Sequence, residues 1–185
     1  MKKMIVYFHG YGSSKTSDKV SRLKRDPDFN VYSFDIDIDP EVAYAELIHN
    51  IDMALIEDIH NPEEVVFIGT SLGGWWASKM ADLYICKAVV INPSINPEKS
   101  LLKYGVSTDI CSKYHPLVTN MNHKYFFARY DEVIDSETFR ETLIDSGYDV
   151  TVDNKADHRF GGESFERVVE YIKAYNDPHH QGTYE

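Results

Sequence analysis

The stretch VVFIGTSLGGWWA, residues 65–77, is the segment that most strongly predicts how this chain folds. It begins with a continuous apolar run, which is typical of a strand buried on both faces of a sheet. Gly69 and Gly73 then flank Ser71, and apolar residues at helical spacing follow. A strand, a G-x-S-x-G turn and a helix in this order raise a nucleophilic serine clear of a sheet. The turn is so tight that side chains two residues before and after the serine would not fit.

Apolar runs elsewhere in the chain predict further strands. With the run before Ser71, the predicted strands lie at about residues 4–8, 30–36, 64–69, 87–91, 123–129 and 148–153. Segments with helical spacing of apolar residues separate them. Strands that alternate with helices favour a parallel sheet covered on both sides. We therefore expect an α/β fold, a three-layer α/β/α sandwich with a mostly parallel sheet of about six strands.

The length of 185 residues favours a single core. We expect one domain over residues 1–176 and a flexible polar tail over 177–185. Residues 93–122 form a long connection between two predicted strands. Segments of that length often cover a binding site, so this one is expected to form a lid or a pocket wall.

Charge and composition narrow the classes of partner. The formal net charge of -11 repels polyanions, so nucleic acid is not expected to bind. No stretch is long and apolar enough to predict a membrane span, and the apolar run before His9 is too short for a signal peptide, which favours the cytoplasm. Cys86 and Cys111 form no CxxC pair, so neither a disulfide framework nor a thiolate zinc site is predicted.

The loop after the first strand, HGYGSSKT at residues 9–16, invites comparison with phosphate-binding loops. A P-loop needs glycine directly before its lysine and another five residues earlier, where this chain has Ser14 and His9. The dinucleotide pattern fails as well, because Lys15 stands where the third glycine should be. The loop therefore serves some other chemistry, and no nucleotide cofactor is predicted.

A nucleophilic serine needs a histidine base and an acid that orients it. On this fold the order along the chain is serine, acid, histidine. Only His158 lies after the later strands and before the polar tail. Asp131 directly follows the strand that ends near residue 129, and Asp135 is the alternative acid. The predicted catalytic residues are Ser71, Asp131 and His158.

Backbone N–H groups are expected to stabilise the oxyanion that forms when Ser71 attacks an acyl carbonyl. The first donor is the N–H of Leu72, at the start of its helix. The second comes from the loop after the first strand, where the N–H of Tyr11 is preferred and that of Gly12 is the alternative. Gly10, Gly12 and Trp75 are the candidate substrate-binding residues, although core packing is an alternative role for the tryptophan.

Taken together, the motifs of this chain resemble those of the α/β-hydrolases, and more closely those of the small YqiA-type esterase family of bacteria. The similarity rests on HGYGSS, GTSLGGWWA, VVINPSINP, ARYDEVID and ADHRFGGESFE, in that order over nearly the whole chain. It implies a trimmed hydrolase core and esterase activity on short acyl esters, with Ser71, Asp131 and His158 as the matching triad. The chain departs from the family pattern at two places. Members of the family commonly have a glycine near the position of Ala128 and an asparagine near the position of Gly12.

The expected function is a serine hydrolase, either a carboxylesterase or a thioesterase. Its partner would be a small-molecule acyl ester or thioester, and its mechanism needs no metal and no organic cofactor. An acyltransferase would use the same three side chains, and a non-catalytic binding protein on a hydrolase scaffold is an alternative from another class. The sequence predicts no oligomeric state.

Overall fold

The computed structural model describes residues 2–58 and 65–175, in which strands and helices alternate along the chain except for two successive helices between the fourth and fifth strands. The strands are β1 (Lys3–Phe8), β2 (Phe29–Ser33), β3 (Val65–Thr70), β4 (Lys87–Ile91), β5 (Lys124–Ala128) and β6 (Asp149–Asp153). The helices are α1 (Asp18–Lys24), α2 (Pro40–Asp58), α3 (Leu72–Tyr84), α4 (Pro97–Leu102), α5 (Thr108–Cys111), α6 (Glu137–Asp145) and α7 (Gly162–Ala174). The predicted tail, residues 177–185, lies outside the described residues.

The strands form one six-stranded sheet in the order β2-β1-β3-β4-β5-β6, and all neighbouring strands are parallel. The predicted α/β sandwich with a parallel sheet of about six strands is therefore confirmed. The edge strand β2 is shorter than predicted, because its pairing with β1 ends at Ser33. The chain runs from β1 to one side of the sheet and then returns to place β3 on the other side of β1. Parallel sheets bind ligands at such a reversal of strand order.

Both faces of the sheet are covered, which explains the continuous apolar runs of the strands. On one face, Phe67 of β3 belongs to a buried cluster with Leu47 of α2 and Trp76 of α3. On the other face, Ile68 belongs to a cluster with Val168 of α7. Successive residues of a strand point to opposite faces, so a strand in the middle layer needs apolar residues at every position.

The helices of the described residues, 2–58 and 65–175, include none with both the length and the apolar character that a membrane crossing requires. The longest, α2, has 19 residues. Its buried face includes Ala43, Leu47 and Ile51, so it packs on the sheet with one side only.

Candidate active site

Ser71 occupies the sharp turn between β3 and α3 that the sequence predicts. Its backbone has φ 59° and ψ -123°, a combination that L-residues rarely adopt. The surrounding backbone holds this conformation: the Ser71 N–H donates to the Ile91 carbonyl at 3.0 Å, and its carbonyl accepts the N–H of Gly74 at 2.9 Å and of Ser94 at 3.0 Å. A strained residue fixed in this way indicates a functional position.

The glycines of this region are required by close approach of backbone segments. A Cβ at Gly69 would lie 1.9 Å from the Gly73 carbonyl oxygen, and a Cβ at Gly73 would lie 2.0 Å from that of Phe8. The second contact brings the turn against the end of β1. A Cβ at Gly10 would lie 3.3 Å from the Cβ of Ser71, so the loop after β1 passes directly beside the serine.

His158 lies in the loop between β6 and α7 and is oriented by Asp131. The Nδ1 atom of His158 is 2.9 Å from Oδ1 and 2.8 Å from Oδ2 of that carboxylate. Asp131 Oδ1 also accepts the N–H groups of Val133 and Ile134, each at 2.8 Å. Burial raises the pKa of Asp131, but the hydrogen bonds from His158 and the two N–H groups outweigh it and hold the pKa below its usual value. The carboxylate therefore stays ionised beside the ring.

Ser71 and His158 line the same cavity, which has a volume of about 370 Å³. Because Nδ1 faces Asp131, Nε2 is the ring nitrogen left for a second partner. Asp135, the alternative acid, is exposed, and it lines together with Asp131 another cavity that His158 does not line. His158 thus shares a cavity with Ser71 and a hydrogen bond with Asp131, whereas among the described residues no hydrogen bond joins His158 to Asp135.

The backbone groups predicted to bind the oxyanion also lie beside Ser71. Leu72 is the first residue of α3, where an N–H has no partner within the helix. Tyr11 lines the cavity together with Gly10 and Gly12. Among residues 2–58 and 65–175, no protein acceptor engages the N–H of Leu72 or of Tyr11. Both donors are therefore free for a ligand.

Asn92 and Glu132 hold the His158 loop, and the sequence did not single out either residue. The buried Asn92 amide donates to the carbonyls of Asp157 at 3.1 Å and His158 at 3.0 Å, and its oxygen accepts the Ala128 N–H at 2.7 Å. Glu132 Oε2 accepts the His158 N–H at 3.0 Å. The position of Asn92, directly after β4 in VVINPSINP, was the available signal, because neighbouring parallel strands end at one edge of the sheet.

The position of Trp75 differs from the prediction that it lines the acyl pocket. The side chain is 5% exposed, and its Nε1 donates to the His115 carbonyl at 2.9 Å. Its ring packs edge-on against Tyr114 at a centroid distance of 5.1 Å. Trp75 therefore packs between the core and the 93–122 segment and holds that segment in place. It lines neither of the two cavities beside Ser71. This is the core-packing role that the sequence left as the alternative.

Residues 93–122 contribute to a second, narrow cavity on another side of Ser71, with a volume of about 40 Å³. Leu101 and Tyr104 line it, together with Ile134 from the loop after β5. The Tyr104 ring contacts that of Tyr11 at a centroid distance of 5.6 Å. Helix α4 therefore brings this segment beside the serine, while a role as a movable lid stays a prediction.

The architecture and the turn at Ser71 place this chain among proteins with the α/β-hydrolase fold, and solved structures support that class. A hyperthermophilic esterase from Pyrobaculum calidifontis aligns with a TM-score of 0.63 and 19% identity over 93% of this chain and 76% of the esterase. An esterase from Pyrococcus furiosus aligns with a TM-score of 0.65 and 20% identity over 93% of this chain and 81% of its own. Mouse alpha/beta hydrolase domain-containing protein 10 aligns with a TM-score of 0.68 and 13% identity over 94% of this chain and 90% of its own. The expected fold is confirmed.

Within that class, the chain belongs to the uncharacterised protein family UPF0227, whose model matches residues 4–177. A UPF0227 protein of Vibrio vulnificus is 25% identical over 94% of this chain and 99% of its own length. The UPF0227 protein YcfP of Salmonella paratyphi A is 28% identical over 93% of this chain and 98% of its own length. The similarity thus covers nearly the whole of both proteins.

Proposed function

We propose that this protein is a serine hydrolase that cleaves short acyl esters or thioesters through an acyl-enzyme, in the cytoplasm. The observation that carries the proposal is the arrangement at the cavity: His158 is hydrogen-bonded to Asp131 and lines the same cavity as Ser71, which stands on a strained turn. A buried, ionised carboxylate behind an imidazole, with a hydroxyl in the same cavity, is what nucleophilic acyl transfer needs.

In the proposed first half-reaction, Ser71 Oγ attacks the acyl carbonyl while Nε2 of His158 takes its proton. Asp131 keeps the remaining ring proton on Nδ1 and stabilises the imidazolium. The proton then passes from Nε2 to the leaving oxygen or sulfur as its bond to the acyl carbon breaks. The alcohol or thiol departs, and the acyl group stays on Ser71.

In the proposed second half-reaction, water attacks the acyl-enzyme with His158 as the base, and the acid is released. In both halves the N–H groups of Leu72 and Tyr11 stabilise the oxyanion. A donor of this kind is worth about 3–4 kcal/mol of transition-state stabilisation. Gly10 gives the carbonyl access to these donors, because a Cβ at residue 10 would lie 3.3 Å from that of Ser71, and Gly12 has a φ of 72°, which favours glycine in the same loop. The proposed reaction needs neither a metal nor a cofactor.

A series of p-nitrophenyl esters of increasing acyl length, assayed with the wild type and with Ser71→Ala, tests the proposal. We expect the wild type to hydrolyse the short esters and Ser71→Ala to lose about 10³-fold or more of kcat. The matched control is Ser13→Ala, since Ser13 lines the same cavity and is exposed. Rates for Ser71→Ala equal to those of the wild type would refute the proposal. An added alcohol that diverts most of the acyl group would instead identify an acyltransferase.

A further inference from the structure

The two cavities beside Ser71 differ in size and chemistry. The wide cavity of about 370 Å³ contains His158 and two cationic side chains, Lys19 and Arg159. The narrow cavity of about 40 Å³ lies between α4 and the loop after β5, and it is lined mainly by apolar side chains. Its lining residues include Leu72, Leu101, Tyr104, Val133 and Ile134, with Lys103 as its one cation.

Within residues 2–58 and 65–175, neither cation of the wide cavity has a carboxylate partner. Among the residues that the structure describes, no carboxylate oxygen lies within 4.0 Å of Lys19 Nζ or of the Arg159 guanidinium. Asp157 and Asp18 act on Lys19 only at longer range, and Asp18 is the one carboxylate in the lining of the cavity. Burial lowers the pKa of Lys19 more than these carboxylates raise it.

The chain has a formal net charge of -11, yet the wide cavity beside Ser71 is lined by two cationic side chains and one carboxylate. Several other cations pair with carboxylates, such as Lys113 with Asp39 at 2.6 Å and Arg167 with Asp153 at 2.7 Å. Lys19, by contrast, is half-buried, with its ammonium 5.7 Å from the centre of the Phe165 ring. A cation that is partly removed from water without a counter-ion is costly, and an anionic ligand would offset that cost.

The position of His158 decides which part of an ester would occupy the wide cavity. The histidine must give its proton to the leaving group, so the leaving group has to lie on the histidine side of the serine. The wide cavity is on that side, and the narrow apolar cavity remains for the acyl group. The small volume of the narrow cavity suits a short acyl chain.

We propose that the substrate is an ester of a short acid with an alcohol that carries a carboxylate or phosphate group, and that Lys19 and Arg159 bind this anionic group. The inference rests on the proposed serine hydrolysis and adds the chemical class of the leaving group. Arg159 directly follows His158, so a bound anion also fixes the leaving oxygen near the ring that protonates it. The role of the two cations is to position the substrate.

Matched acetate esters test the assignment. The anionic probes are 4-acetoxybenzoate and 4-acetoxyphenyl phosphate, and the neutral probe is 4-acetoxybenzamide; each rate is divided by the rate of the same compound with hydroxide. We expect the wild type to favour an anionic probe by about 10-fold in kcat/KM, the size of one charge-assisted contact. The probe with the larger preference tells whether the natural group is a carboxylate or a phosphate.

Variants locate the cause of the preference. Lys19→Met and Arg159→Met should each lower it by about 3-fold or more, mainly through KM, because the lost contact is made equally in the ground and transition states. Hydrolysis of the neutral probe should change little. The control is Lys24→Met, which removes an exposed cation of the same helix as Lys19 that lines neither cavity beside Ser71, and it should leave the preference intact.

Three results would overturn the inference. The first is a wild type that hydrolyses neutral and anionic probes equally, and the second is a preference that survives in the Lys19→Met/Arg159→Met double variant. The third concerns esters whose anionic group is on the acyl chain. If the wild type prefers mono-4-nitrophenyl glutarate over the neutral 4-nitrophenyl butanoate to the same extent, and this preference depends equally on both cations, the anion binds on the acyl side.

Failure of the proposed hydrolysis is distinguishable from failure of the inference. If no probe is hydrolysed, the serine hydrolase proposal is refuted, and titration of the protein with 4-hydroxybenzoate and 4-hydroxybenzamide by calorimetry tests the anion site directly. Binding of the benzoate alone, lost in the double variant, upholds the site. Equal or absent binding overturns it.

Discussion

Replacing Asn92 by glycine should destabilise the fold and disable the histidine loop at the same time. Asn92 has φ 40°, in the left-handed region, so glycine removes the side chain without adding backbone strain. The change deletes the amide that accepts the Ala128 N–H and donates to the carbonyls of Asp157 and His158. Alanine would mix this loss with strain at a positive φ.

The size of the effect follows from which partners water can reach. Ala128 is fully buried, so its N–H is left without an acceptor, at a cost of about 1–3 kcal/mol. Asp157 is exposed and His158 is half-buried, so water can replace much of the hydrogen bonding that their carbonyls lose with the Asn92 amide. The added freedom of glycine costs about 0.5–1 kcal/mol more. A total of about 3 kcal/mol lowers the Tm of a domain of this size by about 6–12 °C.

Thermal unfolding and ester hydrolysis of Asn92→Gly measure the two effects. Activity at a temperature where the variant is folded should fall by about 10-fold or more, because a small displacement of His158 costs orders of magnitude in rate. The control is Asn120→Ala. The Asn120 amide donates to Asp82 Oδ1 at 2.6 Å, at a position away from the site. A Tm of Asn92→Gly within about 2 °C of wild type, with unchanged activity, would refute the reasoning.

Three further predictions concern the turn, a buried histidine and the triad acid. Gly73→Ala should prevent folding or lower the free energy of unfolding by more than about 3 kcal/mol, because its Cβ would lie 2.0 Å from the Phe8 carbonyl oxygen. A Cβ at Gly161 would meet open space, so Gly161→Ala should be tolerated. The expression level and the Tm of the two variants test this difference. Burial lowers the pKa of His123 from 6.5 to about 4, so its contribution to stability is full above pH 6.5 and is lost as pH falls to about 4. Urea unfolding should therefore show that the wild type loses about 2–3 kcal/mol more than His123→Gln over this range, and parallel profiles would contradict the prediction. Asp131→Asn should lower kcat by about 10³–10⁴-fold with little change of KM, because an amide cannot stabilise the imidazolium; steady-state kinetics that show a loss below about 10-fold would count against the role of Asp131.

The sheet could be predicted from the sequence because its signals are local. A strand in the middle layer needs apolar residues on both faces, and this produces uninterrupted runs such as residues 65–68. The turn at Ser71 is also encoded locally, in two glycines whose side chains would collide with neighbouring backbone. Chain order on the predicted sheet then favours His158 and Asp131, with Asp135 as the alternative acid, and the structure places His158 and Asp131 within hydrogen-bond distance.

Features that depend on packing between distant segments could not be predicted in the same way. Helix α3 is buried on nearly all sides from Leu72 to Ala81, so the pattern of apolar residues does not show which side faces a cavity. For that reason the sequence could not show whether Trp75 lines the acyl pocket or packs in the core. Asn92 bonds to residues 36, 65 and 66 positions away. Lys19 and Arg159 are ordinary surface cations in the sequence, and only their shared cavity with Ser71 makes them candidates for binding.

Labelling with a fluorophosphonate, followed by mass spectrometry of the modified peptide, tests the central claim most directly. A fluorophosphonate reacts much faster with a serine that is activated by a base than with an ordinary hydroxyl group. We predict a single adduct on Ser71 in the wild type, no adduct in Ser71→Ala, and a labelling rate lowered by about 10³-fold or more in His158→Ala. Absence of the adduct in the folded wild type, or labelling of Ser71 at the same rate without His158, would contradict the account.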